Sequence, residues 1–242
     1  MLVGLMVPGA LFAADVLKEV KNLPIVKDLP SQVEVLEARD IGSLYELVVK
    51  EPSRGKSIFY VTKDGAYLFA GGNLFNKDRV NVAQARYEEV NRVDVSKIPL
   101  KDAVTIRKGN GVKKLIVFYD VDCPYCKRAY QWLKDRTNYT LYIFFNPLPM
   151  HPNSPEKTVK ILCGKDYEAG IERTVANQEP EGQKCEAGEK MLAKHKAIAA
   201  EIGVDGTPLF ITDTGTRIAG LLVPALESYL KPAAASAEKP NN

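Results

Sequence analysis

Short runs in which apolar and polar residues alternate, or in which β-branched and aromatic residues dominate, fill the first third of the chain. QVEVLEA, SLYELVVK and KSIFYVT predict three strands, and TKDGAYLFAGG predicts a hairpin that turns at Asp64 and Gly65. These strands contain few apolar residues beyond those that a small core needs. A domain of about sixty residues built from them would be only marginally stable on its own. Dimerisation through strand addition or a shared face would stabilise it. The alternative is a β-rich subdomain packed onto the rest of its own chain.

A segment of mixed charge follows, KDRVNVAQARYEEVNRVDVSKIPL, with few helix-breaking residues before Pro99. It predicts a helical linker over residues 79–97. Its run of charges is typical of a solvated helix face rather than of a binding patch.

The remainder of the chain alternates strand and helix patterns. LIVFYDV and TLYIFFNPLP predict buried strands, and LFITDTGTRIAGLLVPALESYL predicts a strand, a turn, a second strand and a closing helix. PYCKRAYQWLKDRT and AGEKMLAKHKAIAAEIGV predict helices, and SPEKTVKILCGKDYEAGIERTVANQ predicts a helical insert with Ser154 as N-cap. Helices between core strands indicate the α/β fold class, and the β-rich first third makes the whole chain α+β.

Composition adds a bound on partners. The chain has 242 residues, and its 33 basic and 30 acidic residues leave a formal charge of +3. This balance argues against a nucleic-acid or anionic-membrane partner. The last residues, 232–242, are small, polar and rich in alanine and proline, which predicts a disordered tail.

The N-terminus MLVGLMVPGALFAAD is apolar and ends in small residues, with its first basic residue at Lys18. A run of about a dozen residues is too short to span a bilayer, which needs about 20. Residues 1–14 resemble the apolar part and cleavage zone of a secretory signal, although a basic start is missing. The alternative is a buried N-terminal helix. Export would place the chain in a compartment that permits disulfides.

The four cysteines allow three disulfide connectivities. Cys123 and Cys126 are adjacent enough to pair locally, which leaves Cys163 with Cys185; closing that loop would contribute about 3 kcal/mol. A zinc site would use the same four residues, but the second pair is not another Cys-x-x-Cys. Neither histidine has ligand-like spacing to a cysteine, so we interpret His151 and His195 as surface or loop residues.

A structural bridge between Cys123 and Cys126 would restrain little chain, so the pair is better explained by chemistry. Pro124 suits the first turn of a helix, which places Cys123 at the helix N-terminus, where the backbone N–H groups stabilise a thiolate. We therefore predict that Cys123 is the nucleophile of thiol–disulfide exchange and Cys126 the resolving thiol.

Two further features lie near this pair in the predicted fold. Pro208 precedes a predicted strand, and a cis bond from Thr207 would explain its place, although the dipeptide alone favours trans. Asp120 and Asp122 precede the motif on what strand alternation makes the same face. One of them could relay protons to Cys126, and a solvated strand end explains them equally well.

The strand that leads into Cys-x-x-Cys at a helix start, together with Thr-Pro before a hairpin and a last helix, resembles the thioredoxin fold. About a hundred residues precede the motif, which is within the usual size range of a domain. A second cysteine pair follows the motif. That arrangement resembles the DsbC/DsbG family of exported, homodimeric disulfide isomerases over nearly the whole chain.

The resemblance implies a set of site residues. They are an active pair with its tuning dipeptide, a cis-proline loop that faces it and a structural disulfide: Cys123, Pro124, Tyr125 and Cys126; Thr207 and Pro208; Cys163 and Cys185. It also implies an N-terminal dimerisation domain over 15–78, a linker over 79–100 and a thioredoxin-like catalytic domain over 101–231.

The function that the resemblance implies is a periplasmic isomerase or reductase of non-native disulfides in misfolded or misoxidised exported proteins. It would need no metal or organic cofactor, and its electrons would come from a membrane reductant of the DsbD type. The Pro-Tyr dipeptide is similar to the DsbG branch, which implies an alternative, a reductase of sulfenylated single cysteines. The alternative from another class is a holdase chaperone with secondary redox activity. An oxidase of the DsbA type is disfavoured, because that family lacks the N-terminal segment.

Overall fold

The computed structural model describes the backbone of residues 9–52 and 55–231 and the side chains from Ala14 onward. The first eight residues of the predicted signal segment and the predicted tail over 232–242 lie outside the described residues. The described helices are α1 (Gly9–Lys21), α2 (Pro24–Lys27), α3 (Val82–Val90), α4 (Pro124–Lys134), α5 (Ser154–Cys163), α6 (Tyr167–Val175), α7 (Glu186–Ile202) and α8 (Val223–Leu230). The described strands are β1 (Glu34–Asp40), β2 (Leu44–Glu51), β3 (Gly55–Thr62), β4 (Leu68–Ala70), β5 (Val104–Lys108), β6 (Lys113–Tyr119), β7 (Tyr139–Phe145), β8 (Leu209–Thr212) and β9 (Arg217–Ala219).

Two compact units divide the chain, Met1–Asn91 and Arg92–Asn242. In the first unit, β1 to β4 form an antiparallel sheet in chain order. Both faces of this sheet are covered, since Leu47 of β2 packs with α1 and α2 while its neighbour Val48 packs with α3. Burial on both faces explains why the centre of β2 is continuously apolar. Across the described part of the chain, no helix combines the length and apolar character needed to cross a membrane.

The segment predicted as a helix over 79–97 is α-helical only over α3. Asn81 caps its start by accepting a hydrogen bond from the backbone N–H of Gln84. Beyond the helix, Asp94 accepts from the N–H of Ser96 and begins a short 3-10 turn instead. Both side chains bind backbone donors that a continuous helix would have used internally, which sets the helix bounds.

The mixed charges of α3 are not all solvated, so that prediction is wrong for Arg86. Its guanidinium is buried and donates to Glu37 at 2.5 Å and to Glu46 at 3.1 Å. Glu46 is itself only 3% exposed and also accepts from Arg39. Helix α3 is therefore fixed to the first sheet by a partly buried cluster of opposite charges as well as by apolar contacts.

The second unit is built on a five-stranded sheet in the order β5-β7-β6-β8-β9. Strands β6 and β7 are parallel, with α4 as their crossover, and the other pairs are antiparallel. Along β6, Val117 faces α4 and α5 while Phe118 faces α7, so helices cover both faces. The α/β prediction is confirmed for this unit, and the mixed α+β prediction for the whole chain.

His195 corrects a sequence-based expectation, since it lies in the core rather than on the surface or in a loop. Its Nδ1 accepts from the backbone N–H of Phe145 at 3.1 Å, and its Nε2 donates to the carbonyl of Asp102 at 2.6 Å. Burial lowers the pKa of the imidazole, which keeps it neutral. It thus ties α7 to β7 and to the segment before β5.

Candidate active site

The two adjacent cysteines lie where β6 passes into α4. Strand β6 ends at Tyr119 and α4 begins at Pro124, so Cys123 is the N-cap residue, with φ −69° and ψ 120°. The first-turn N–H groups of a helix lack intrahelical partners and carry the positive end of its dipole. Both cysteines are free thiols in this structure, and both are buried, Cys123 at 4% exposure and Cys126 at 0%.

Hydrogen bonds around Cys123 favour its thiolate. The thiol of Cys126 donates to the sulfur of Cys123, and this contact is the main cause that lowers the pKa of Cys123 to about 5. The backbone N–H groups of Cys126 and Tyr125 and the hydroxyl of Thr207 lower it further, against the opposing effect of burial. Cys123 is therefore placed to be a thiolate at neutral pH.

Cys126 has the opposite electrostatics. Burial raises the pKa of its thiol far above the ordinary range, and the negative sulfur of Cys123 adds to that effect. The backbone N–H of Asp120 donates to the Cys126 sulfur at 3.4 Å and acts in the other direction. Cys126 is thus a protonated thiol beside a thiolate, which divides the pair chemically into a nucleophile and a proton-bearing partner.

Thr207 and Pro208 lie against this pair. The peptide bond between them is cis, and the carbonyl of Thr207 accepts from the sulfur of Cys123 at 3.3 Å. The Thr207 hydroxyl is buried and has no partner oxygen or nitrogen among the described residues. It is consequently free to donate to the thiolate of Cys123 when that forms.

Strand alternation predicted that the two aspartates before the motif share one face, and the structure shows that they do not. Strand β6 already ends at Tyr119, so the alternation stops applying there. Asp120 is fully buried, whereas Asp122 is partly exposed and forms an ion pair with Lys157 at 2.8 Å. The interpretation of a solvated strand end is therefore wrong for Asp120.

Sequence reasoning missed the partners of the Asp120 carboxylate. It accepts from the Ser154 hydroxyl at 2.5 Å and from the backbone N–H of Leu148 at 2.8 Å, and the Nδ1 of His151 lies 2.7 Å away. The prediction that Ser154 caps α5 is wrong, because Asn153 precedes the helix and the Ser154 hydroxyl binds Asp120 instead. One signal was available: β6 and β7 are parallel neighbours, so the loops after them meet at one edge of the sheet.

The other two cysteines are joined. Cys163, the last residue of α5, is disulfide-bonded to Cys185, the N-cap of α7, with their Cα atoms 5.8 Å apart. The Cys185 sulfur also accepts from the backbone N–H of Gly188 at 3.3 Å. A Cβ at Gly188 would lie 2.5 Å from the Cys163 sulfur. A zinc site that uses all four cysteines is excluded, because it requires four free thiolates.

The outer surface next to Cys123 is aromatic and cationic. Tyr125 is 57% exposed, and the guanidinium of Arg128 lies 4.5 Å from the centre of its ring.

Among the described side chains, no group of three or more His, Cys, Asp or Glu residues is placed to hold a metal ion.

A parallel strand–helix–strand unit with a dithiol at the first strand–helix junction, opposed by a cis-proline before an antiparallel hairpin, defines a thioredoxin-type domain. The comparison with known families agrees: the thioredoxin-like domain family matches residues 100–234. The chain belongs to the thioredoxin-like family.

Named relatives narrow the resemblance. The chain is 30% identical over 176 residues to a probable thiol:disulfide interchange protein DsbC of Bordetella avium, which covers 72% of this chain and 62% of that protein. It is 28% identical over 184 residues to the thiol:disulfide interchange protein DsbC of Haemophilus influenzae, covering 73% and 76%. A disulfide interchange protein from Neisseria gonorrhoeae has a crystal structure with a TM-score of 0.50 and 28% identity, covering 55% of this chain and 96% of that one.

These names confirm the resemblance to the DsbC/DsbG family. The chain spans about three fifths of the length of the Bordetella relatives that it matches.

Proposed function

We propose that the chain is an exported thiol:disulfide isomerase and reductase that acts through Cys123 and Cys126. The observation that carries this proposal is the division of the pair into a thiolate-forming Cys123 and a buried, protonated Cys126 beneath the Thr207–Pro208 loop. The names of the relatives, thiol:disulfide interchange protein, support the same activity.

The proposed reaction begins when the Cys123 thiolate attacks one sulfur of a substrate disulfide. A Cys123–substrate S–S bond forms, and the other substrate sulfur leaves as a thiolate. In isomerisation, a substrate thiolate attacks the substrate sulfur of the mixed disulfide; a new substrate disulfide forms, the Cys123–substrate bond breaks, and Cys123 leaves as the thiolate with which it began. In reduction, Cys126 loses its proton and attacks Cys123; the substrate leaves reduced and the pair is oxidised by two electrons.

The experiment that tests the proposal is reactivation of scrambled ribonuclease A by catalytic amounts of the full chain in a glutathione buffer. We expect ribonuclease activity to return several times faster than in buffer alone, because the thiolate of Cys123 supplies a nucleophile that glutathione, mostly protonated at pH 7, supplies poorly. A recovery rate equal to that of buffer alone would contradict isomerisation.

The same assay leads to the two alternatives. If recovery fails while the reduced chain still reduces a sulfenylated single-cysteine protein, the DsbG-like reductase is the better function; Cys123 would attack the Cys–SOH sulfur, release water and be resolved by Cys126. If both chemistries fail while the chain suppresses aggregation of an unfolded protein, the holdase chaperone is the better function.

Export and electron supply complete the proposal. The chain would work in the periplasm, where disulfides persist, on misfolded or misoxidised exported proteins. Its oxidised pair would be returned to the dithiol by a membrane thiol reductant of the DsbD type. The disulfide between Cys163 and Cys185 is consistent with an oxidising compartment.

A homodimer through the N-terminal domain is part of the same proposal. The short strand β4 pairs with β3 over three residues and has exposed aromatic side chains in it and next to it: Phe69 of β4 is 53% exposed, and Tyr67, just before β4, is 67% exposed. An exposed edge of this kind offers unpaired backbone groups and apolar area to a second copy.

Lysine at Phe69 is expected to dissociate this dimer, because each copy would bring a charge to the edge. Sedimentation equilibrium should give twice the chain mass for the wild type and the chain mass for Phe69→Lys. Tyr87→Lys is the matched control, since Tyr87 is an exposed aromatic residue of α3 rather than of the strand edge. A wild-type chain that stays monomeric at every concentration would contradict the dimer.

A further inference from the structure

Asp120 connects both cysteines to the rest of the second unit. Its backbone carbonyl accepts from the N–H of Cys123 at 3.1 Å, and its own N–H donates to the Cys126 sulfur at 3.4 Å. Its carboxylate has no exposed surface and reaches three separate segments: the loop before α4, the loop after β7 and the first residue of α5.

The four contacts of this carboxylate use both of its oxygens. Oδ1 accepts from the N–H of Asp122 at 3.0 Å and from the hydroxyl of Ser154, while Oδ2 accepts from the N–H of Leu148 and lies 2.7 Å from the Nδ1 of His151. A carboxylate offers about four lone-pair directions, so this one is fully engaged.

This saturation argues against a proton-accepting role towards Cys126. A general base needs a free lone pair within hydrogen-bond reach of the proton that it removes. The contact between Asp120 and the Cys126 sulfur runs through the backbone N–H, which is a donor and cannot take a proton. The carboxylate instead fixes the orientation of its own peptide unit.

Orientation of that N–H matters for the second half of the reaction. Cys126 must become a thiolate to attack the mixed disulfide, and its burial disfavours the charged form. A donor held on the sulfur stabilises the thiolate as it forms, and hydrogen bonds to charged groups are the stronger kind. Losing the anchor would let this donor turn away at the moment when it is needed.

We propose that Asp120 is a positioning residue for the resolving step: its buried carboxylate, held by Ser154, His151 and Leu148, keeps the Asp120 N–H on the sulfur of Cys126. This inference rests on the proposed function, because it assigns a role within thiol–disulfide exchange. It assigns Asp120 no contact with the substrate.

Oxidised glutathione separates the two steps. The Cys123 thiolate attacks it, forming a mixed disulfide and releasing one glutathione thiolate, which takes a proton. Cys126 then gives its proton to the buffer and attacks the Cys123 sulfur. The second glutathione leaves, the pair is oxidised by two electrons, and two reduced glutathiones have formed.

The test compares the reduced full chain with its Asp120→Asn variant by acid quenching and mass spectrometry. The side-chain amide replaces one acceptor oxygen with a donor, which faces two of the four hydrogen-bond donors. We expect the rate at which the mixed disulfide forms to stay within about twofold of wild type, and the rate at which the mixed disulfide decays to fall about tenfold. The titration of the Cys123 thiolate, followed by absorbance, should stay close to that of the wild type. A residue with a merely structural role would change both steps together.

Asp122→Asn is the matched control, because Asp122 is the other carboxylate of the same loop and its side chain pairs with Lys157. The contact with the Cys126 sulfur is made by the backbone N–H of Asp120. It should leave the decay of the mixed disulfide unchanged. If Asp120→Asn does not fold, Ser154→Ala and His151→Gln each remove one of the four contacts and should slow the decay about two- to threefold.

The outcomes divide cleanly. A wild-type chain that forms no mixed disulfide with oxidised glutathione would overturn the proposed function and this inference with it. A wild-type chain that exchanges normally, with decay at wild-type rates in Asp120→Asn, or in Ser154→Ala and His151→Gln if Asp120→Asn is unfolded, would overturn the positioning role alone. Equal slowing of formation and decay would also overturn it.

Discussion

Serine at Cys123 is expected to abolish disulfide exchange, lowering the rate of insulin reduction and of ribonuclease reactivation at least about a hundredfold, to the buffer background. The hydroxyl of serine does not ionise near neutral pH, so no nucleophile remains at the helix N-terminus. Cys126 cannot replace it, since it is fully buried and the pKa of its thiol is raised by that burial.

Serine at Cys126 gives a different expected result. Cys123 still attacks, but nothing resolves the product, so the chain accumulates as a mixed disulfide that mass spectrometry detects as an added glutathione. Reduction of insulin should be lost, while part of the isomerase activity stays, because a substrate thiolate can release Cys123. Full exchange activity in Cys123→Ser, with a normal circular dichroism spectrum, would contradict the assignment of the nucleophile.

Alanine at Cys126 is expected to raise the pKa of Cys123 by at least about one unit, because it removes the hydrogen bond that contributes most to holding this pKa at about 5. Cys126→Ser is the matched control, since its hydroxyl can still donate to the Cys123 sulfur and should raise the pKa less. The ultraviolet absorbance of the thiolate, followed against pH, gives the pKa of Cys123 directly.

Alkylation by iodoacetamide should follow the same titration. In the wild type its rate should be nearly constant at neutral pH and above, and fall about tenfold for each pH unit below 5. In Cys126→Ala the fall should begin at higher pH. Identical titrations in wild type, Cys126→Ala and Cys126→Ser would contradict the role of the Cys126 thiol as the donor.

The same pKa has a consequence for the stability of the reduced chain. A group whose folded pKa lies below its unfolded value stabilises the fold fully above the unfolded pKa, and loses that contribution as pH falls through the folded pKa. For Cys123 the window runs from about 9 down to about 5, at about 1.4 kcal/mol per pH unit. The free energy of unfolding of the reduced wild type, relative to Cys123→Ser, should decline across this window.

Local patterns were sufficient to predict most of the fold. Strand β6 carries a continuous apolar run over residues 115–119 and β2 a shorter one over 47–49, because the centre of each strand is buried on two faces, and such runs are visible in the sequence. Strand β5 was not predicted, because it is a five-residue edge strand, paired only with β7 among the described strands, and its alternate residues face solvent. Helix α1 covers residues that resembled a signal segment, and that resemblance does not distinguish a helix from an exported leader.

Some features of the site follow from residues nearby in the sequence, and others depend on residues that only the fold brings together. The helix start beside Cys123 follows from Pro124 and the preceding apolar run, both within a few residues. The burial of Asp120 does not, because its partners Ser154 and His151 are more than thirty residues further on and meet it only when β6 and β7 pair in parallel. The Thr-Pro dipeptide alone favoured trans, and the cis bond was expected only from the place of Pro208 before a strand; the structure has the cis isomer.

Gly188 gives a rule for reading related sequences. The Cys163 sulfur lies 2.5 Å from the point that the first side-chain carbon of any other residue at position 188 would occupy, and the carbonyl oxygen of Val159 is 3.0 Å from the same point. The disulfide and the bare backbone at 188 are therefore expected to change together, as one unit of three positions. A lineage that gains a larger residue there is expected to lose the cysteine pair, and one that keeps both cysteines is expected to keep the glycine.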